Sequence, residues 1–175
     1  MSQWTHVAGI VRLDNMGSLV RMPVSARNEK VEEAVVRALG NTCVYGDSSE
    51  TWNSCTVPCG SEGSLQYKVY PNTNKDSRSL SWGYVAIWGD LRGFDVGDLP
   101  TIYDWLEKSL VELEKPGRFR ILEKMTAQQK AGYLLSVFVI REAVMCVEVK
   151  GEPKVVLLWD GGQQKIIRAQ DYIPL

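Results

Sequence analysis

The sequence predicts an α+β fold with two helices on one face of a mainly antiparallel sheet. Three observations carry that reading. Apolar residues recur at helical spacing in two long stretches, 29–39 and 99–113. Runs rich in β-branched and aromatic residues surround them, at 4–13, 65–70, 79–94, 137–149 and 155–159, and turn residues separate these runs. At 175 residues, 45% hydrophobic and 23% charged, the chain is expected to form a single domain, 1–175, with one sizeable core and a long insertion at about 41–64.

Trp4 to Leu13 reads as the first strand, ended by the turn Asp14-Asn15-Met16-Gly17. Val31, Ala34, Val35, Ala38 and Leu39 then lie on one helical face, so a helix is expected from Glu29 to Leu39, with Asn28 as N-cap and Gly40 at its C-terminal end. Asn41 to Ser64 is rich in Ser, Thr, Asn, Gly and Cys and has no sustained period. A structureless loop of that length is uncommon in a compact domain, so this segment is either a functional insertion or holds short strands. Leu65 to Tyr70 alternates as a strand, and 71–79 is polar enough for an exposed hairpin tip. It leads into the central strand of the prediction, where Tyr84, Val85, Ile87 and Trp88 suit a pleated surface before Gly89-Asp90 and Arg92-Gly93 interrupt it.

Asp98-Leu99-Pro100 supplies a helix start, with Asp98 as N-cap. Leu99, Ile102, Tyr103, Leu106, Leu110 and Leu113 form its apolar stripe, and Lys115-Pro116-Gly117 stops it. Beyond, 119–122 reads as a short strand, and Thr126 with Gln129 as the capping box of a short helix. The Val- and Ile-rich run 137–149 pairs with 155–159 through the turn Lys150-Gly151-Glu152-Pro153. Gly161-Gly162 turns the chain again into a last short strand at Ile166-Ile167. This order is the split βαβ pattern of ferredoxin-like sandwiches, with a C-terminal β extension.

Charge and targeting features narrow the function. Twenty Lys and Arg against twenty-one Asp and Glu leave a net charge of −1, so no global field draws in nucleic acid or an anionic membrane. The N-terminus lacks the regions of a signal peptide, and no run is long enough for a membrane span, so a cytoplasmic chain is expected. Four cysteines, Cys43, Cys55, Cys59 and Cys146, are accordingly expected as reduced thiols. Cys55 and Cys59 have zinc-like spacing, but no second pair follows and His6 is the sole histidine, so no metal or cofactor is expected.

Several residues are candidates for binding. The run Cys59-Gly-Ser-Glu-Gly-Ser64 resembles an anion cradle, yet it lacks the Gly-Lys-Ser/Thr ending and leads into a strand instead of a helix. Asp47, Glu50 and Glu62 are the only charges in the insertion, so an anion there would take its countercharge from elsewhere, for example Arg92. A plain turn competes with a ligand-contacting loop made by Ser61, Glu62, Gly63 and Ser64. His6 reads as a structural histidine or, with Glu62 and Asp90, as part of a metal-dependent hydrolase or nuclease. Asp90, Asp95 and Asp98 match no calcium loop. The segment 115–130 carries five basic residues against Glu123, a solvated basic face or a docking site for an anionic partner. Trp52, in a polar insertion, is a candidate exposed anchor. The opposite charges of the insertion and of 115–130 would orient a homodimer built around it.

The stretches Trp4-Thr-His-Val7, Gly60-Ser-Glu-Gly-Ser-Leu-Gln-Tyr67 and Gly89-Asp-Leu-Arg-Gly-Phe-Asp95 resemble a group of small bacteriophage-encoded proteins of unknown role. The resemblance covers the first two-thirds of the chain and brings no activity with it. It implies an accessory protein that acts by binding in the host cytoplasm. The expectation is therefore a non-enzymatic binding protein, a counter-defence inhibitor of a host protein. The alternatives are a sponge for a nucleotide-like small ligand, using Ser61, Ser64, Arg92 and His6, and the hydrolase above.

Overall fold

The computed structural model describes residues 3–16, 24–40, 42–43, 56–71, 81–114 and 137–169. Along them run β1 (Trp4–Met16), α1 (Val24–Leu39), β2 (Thr42–Cys43), β3 (Thr56–Val57), β4 (Gln66–Pro71) and β5 (Ser81–Arg92). A 3-10 turn (Val96–Asp98), α2 (Leu99–Glu114), β6 (Val137–Val149), β7 (Val155–Asp160) and β8 (Lys165–Arg168) follow.

Six strands form one sheet in the order β4-β5-β1-β6-β7-β8, and every neighbouring pair is antiparallel. The fold is thus α+β, as the periodicities predict, with a sheet larger than that of a ferredoxin-like fold. β7 and β8 join the edge of the main sheet because Gly151, at φ 89°, turns the chain back on β6. Alternation then sorts each strand into two faces. Val7, Val11 and Leu13 of β1, Val85, Ile87 and Leu91 of β5, and Met145 and Val147 of β6 are buried on one side. There they form a single apolar cluster with Val31, Val35 and Leu39 of α1 and Ile102, Leu106 and Leu110 of α2.

Helix boundaries differ from expectation in two places. α1 begins at Val24, five residues before Glu29, so Asn28 lies inside it and is not its N-cap. Helix propagation is cheap once a nucleus exists, so a helix can outrun its apolar stripe. Asp95, not Asp98, is the N-cap at the other site: its carboxylate accepts from Gly97 N at 2.6 Å, while Asp98 accepts from Asp95 N at 2.9 Å. Both are thereby committed to a capping box. At its C-terminal end α1 closes as predicted on Gly40, at φ 86°. Two carbonyls at this end find long-range donors. Trp105 Nε1 donates to Leu39 O at 2.9 Å, and the Tyr67 hydroxyl donates to Gly40 O at 2.6 Å. Burial raises the Tyr67 phenol above its usual pKa of 10.0, so it remains a donor at neutral pH.

The insertion contains short strands, since β2 and β3 pair in parallel through Thr42–Thr56 and Cys43–Val57. Trp52 and the rest of 44–55 lie outside the described residues, as do the expected strand at 119–122, the short helix after Thr126 and the basic segment 115–130. Cys59 is disulfide-bonded, which corrects the expectation of four reduced thiols, whereas Cys146 is free. The expectation came from the lack of a signal segment, which bears on compartment and carries no information on which sulfurs the fold brings within bonding reach. No helix among the described residues is long and apolar enough to cross a membrane.

Candidate functional site

The Cys59–Ser64 run folds back across the end of β5. Ser61 N donates to Arg92 O at 2.8 Å, Arg92 N donates to Glu62 O at 2.9 Å, and Gly60 N donates to Gly63 O at 3.0 Å. The Ser61 hydroxyl also donates to Arg92 O, at 3.1 Å. Its glycines serve close backbone approach. A Cβ on Gly60 would stand 2.3 Å from Arg92 O, and one on Gly63 2.0 Å from Asp90 O. The amides of Gly60 and Ser61, which the cradle reading would aim at an anion, are therefore spent within the chain. Arg92 reaches the loop, and its guanidinium meets the Glu62 carboxylate. Ser61, Glu62 and Gly63 remain exposed and Ser64 half-buried, at the rim of the sheet.

His6 and Asp90 come together, 84 positions apart in sequence, because β1 and β5 pair His6 with Asp90. Nδ1 lies 2.5 Å from Oδ1, and since a carboxylate accepts only, Nδ1–H is the donor. Glu62, the third member of the hydrolase reading, is engaged with Arg92 instead. Among the described residues no three His, Cys, Asp or Glu side chains cluster as a metal site. Trp4, His6, Asp90 and Lys150 line an open groove of about 510 Å³ at this end of the sheet.

A second surface escaped the sequence reading altogether. The sheet face away from the helices is apolar at its centre. One row of paired residues crosses all six strands: Lys68, Ala86, Ile10, Val144, Leu158 and Ile167. The adjacent row runs Gln66, Trp88, Ala8, Cys146 and Val156. Ile10 is 44% exposed, Trp88 41%, Tyr84 43% and Tyr70 50%. The Lys68 ammonium lies 5.3 Å from the Tyr70 ring centroid. Charged groups lie toward the ends of the face, with Asp14 held by Arg141 at 2.5 Å and Glu148 by Lys154 at 2.8 Å. The signal available in sequence was the unbroken apolar run Tyr-Val-Ala-Ile-Trp in β5, since a strand with one wet face should alternate.

The fold and this surface define an α+β protein built on a six-stranded antiparallel sheet, with the two described helices on one face. No protein-family model matches the chain, and no curated protein matches it. Among solved structures it has a loose similarity to the crystal structure of a Csm3-Csm4 subcomplex of the type III-A CRISPR-Cas interference complex. The TM-score is 0.36, with 12% identity over 98% of this chain and 92% of that one. An overlap of that size defines neither a shared fold nor a shared function.

Proposed function

We propose that the chain is a non-enzymatic binding protein of the phage accessory type, which inhibits a host protein in the host cytoplasm by docking it on the sheet face opposite α1 and α2. The observation that carries the reading is the uncovered apolar row through Ile10, flanked by Trp88, Tyr84 and Tyr70. Exposed contiguous apolar surface with polar margins marks interaction sites, and Trp and Tyr are prominent among interface anchors. Size is adequate. Six strands span about 24 Å and a 13-residue strand about 40 Å, which accommodates the roughly 800 Å² per partner of a standard interface. Near-balanced charge suits a protein partner better than nucleic acid, whose capture needs a positive surface.

The finer fold reading belongs here as well. We infer a ferredoxin-like split βαβ core made of β1, α1, β4, β5, α2 and β6 and extended by β7 and β8. Its support is that β5 lies between β1 and β4, and β1 between β5 and β6, with a helix in each crossover.

The test is capture of the partner from host lysate, repeated with purified components, by the unmodified chain and two variants. Ile10→Asp should weaken binding by 100-fold or more, the scale of a central anchor, while costing only about 1 kcal/mol of stability. Val36→Asp, on the exposed side of α1, should bind as the unmodified chain does. Full binding by Ile10→Asp, or loss of binding in Val36→Asp, would contradict the assignment.

A further inference from the structure

The groove lined by Trp4, His6, Asp90 and Lys150 has a composition that the sheet-face reading does not use. We propose that it binds a small ligand combining a flat aromatic ring with a phosphate, the chemistry of a nucleotide. The groove lies at the Trp4 end of the same sheet face, one row beyond Trp88, Ala8 and Cys146, and the inference does not rest on the docking reading.

The argument starts from register. Trp4 pairs with Arg92 on one side, and on the other its carbonyl accepts from Lys150 N at 3.0 Å. One indole is thus flanked by two cationic side chains, across β5, β1 and the end of β6. Arg92 is engaged with Glu62, but the Lys150 ammonium has no ion-pair partner among the described residues. In the next row, Asp90 is occupied by His6 at 2.5 Å, and Glu148 by Lys154 at 2.8 Å. Asp90 and Glu148 are therefore already matched, which leaves Lys150 as a charge that a ligand can satisfy. The Asp90 contact also fixes the imidazole, so that Nε2 is the ring nitrogen left for a ligand.

An aromatic ring stacks on an indole face whatever its substituents, and an ammonium recognises phosphate as a point charge. About 510 Å³ falls within the ~300–1,000 Å³ of small-ligand sites. Because the groove is open, the ligand keeps much of its surface in water. Affinity should accordingly be modest, with Kd on the order of 0.1 mM for a mononucleotide.

Isothermal titration with adenosine 5′-monophosphate, adenosine, inorganic phosphate and a short single-stranded oligonucleotide tests the proposal. The monophosphate should saturate one site, and adenosine and phosphate should each bind at least about 10-fold more weakly. Trp4→Ala and Lys150→Ala should each weaken the monophosphate about 10-fold without moving the melting temperature by more than a few degrees. Four results would overturn it: no saturation by the monophosphate at several millimolar, binding that survives both substitutions, phosphate binding as tightly as the monophosphate, or oligonucleotide binding 100-fold tighter. The first three remove the site or its aromatic half, and the last assigns the groove to nucleic acid. Retained protein capture by Trp4→Ala and Lys150→Ala keeps the outcome separate from that of the sheet face.

Discussion

Trp105→Ala should lower stability by about 4 kcal/mol, and the melting temperature by about 8–16 °C, the shift expected for a chain of this length. Trp105 is 5% exposed and sits in the apolar cluster that joins α2 to α1 and the sheet. Truncation would empty an indole-sized volume and withdraw the donor from Leu39 O, one of the carbonyls that α1 cannot satisfy internally. Trp105→Phe separates the two effects. A phenyl ring fills most of the space but donates nothing, so the loss should fall to about 1–2 kcal/mol. Thermal unfolding of the three proteins measures both. Equal losses would mean that the hydrogen bond and not packing dominates, and a loss below about 1 kcal/mol in Trp105→Ala would contradict the description of the helix layer.

Gly63→Ala should cost about 2–4 kcal/mol. Its φ of 77° is left-handed, which penalises a Cβ by about 1–2 kcal/mol, and the Cβ would also stand 2.0 Å from Asp90 O. Backbone cannot yield as a side-chain tip can, so the loop must lift from β5. The exchange between Arg92 and Glu62 backbones would then open, and trypsin should cut after Arg92 sooner than in the unmodified chain. Gly63→Asn distinguishes the causes. Asparagine tolerates left-handed backbone but still carries the clashing Cβ, so it should be no better than alanine. Stability recovered in Gly63→Asn would show that backbone conformation alone required glycine there.

These two positions also show what was legible in the sequence. The α2 stripe was visible because Leu99, Ile102, Leu106, Leu110 and Leu113 keep a 3.6 period, yet Trp105 and Ser109 are buried too. A core-facing stripe is wider than its strictest period, and its flanks cannot be read without knowing what packs on them. In the Cys59–Ser64 run the glycine spacing leaves a plain turn and a ligand-contacting loop both open. Spacing shows that backbone must come close to something, and here that something is β5, some thirty residues away. His6 with Asp90 was legible only as a list of candidate groups, since pairing across 84 positions depends on strand order. The apolar sheet face was written in the run at 84–88, but alternation alone cannot say that α1 and α2 both pack on the opposite side.

The central claim is that the sheet face opposite α1 and α2 is where a partner docks, and the fold supplies its own reporter. Cys146 is a free thiol on that face, paired in register with Ala8 and Val156, in the row beside Ile10. The decisive measurement is the rate at which N-ethylmaleimide alkylates Cys146, followed by mass spectrometry of the peptide that carries it, with and without saturating partner. Docking on this face predicts that the partner slows alkylation at least about 10-fold, because the face is desolvated in the complex. An unchanged rate at Cys146 while the partner remains bound would contradict it.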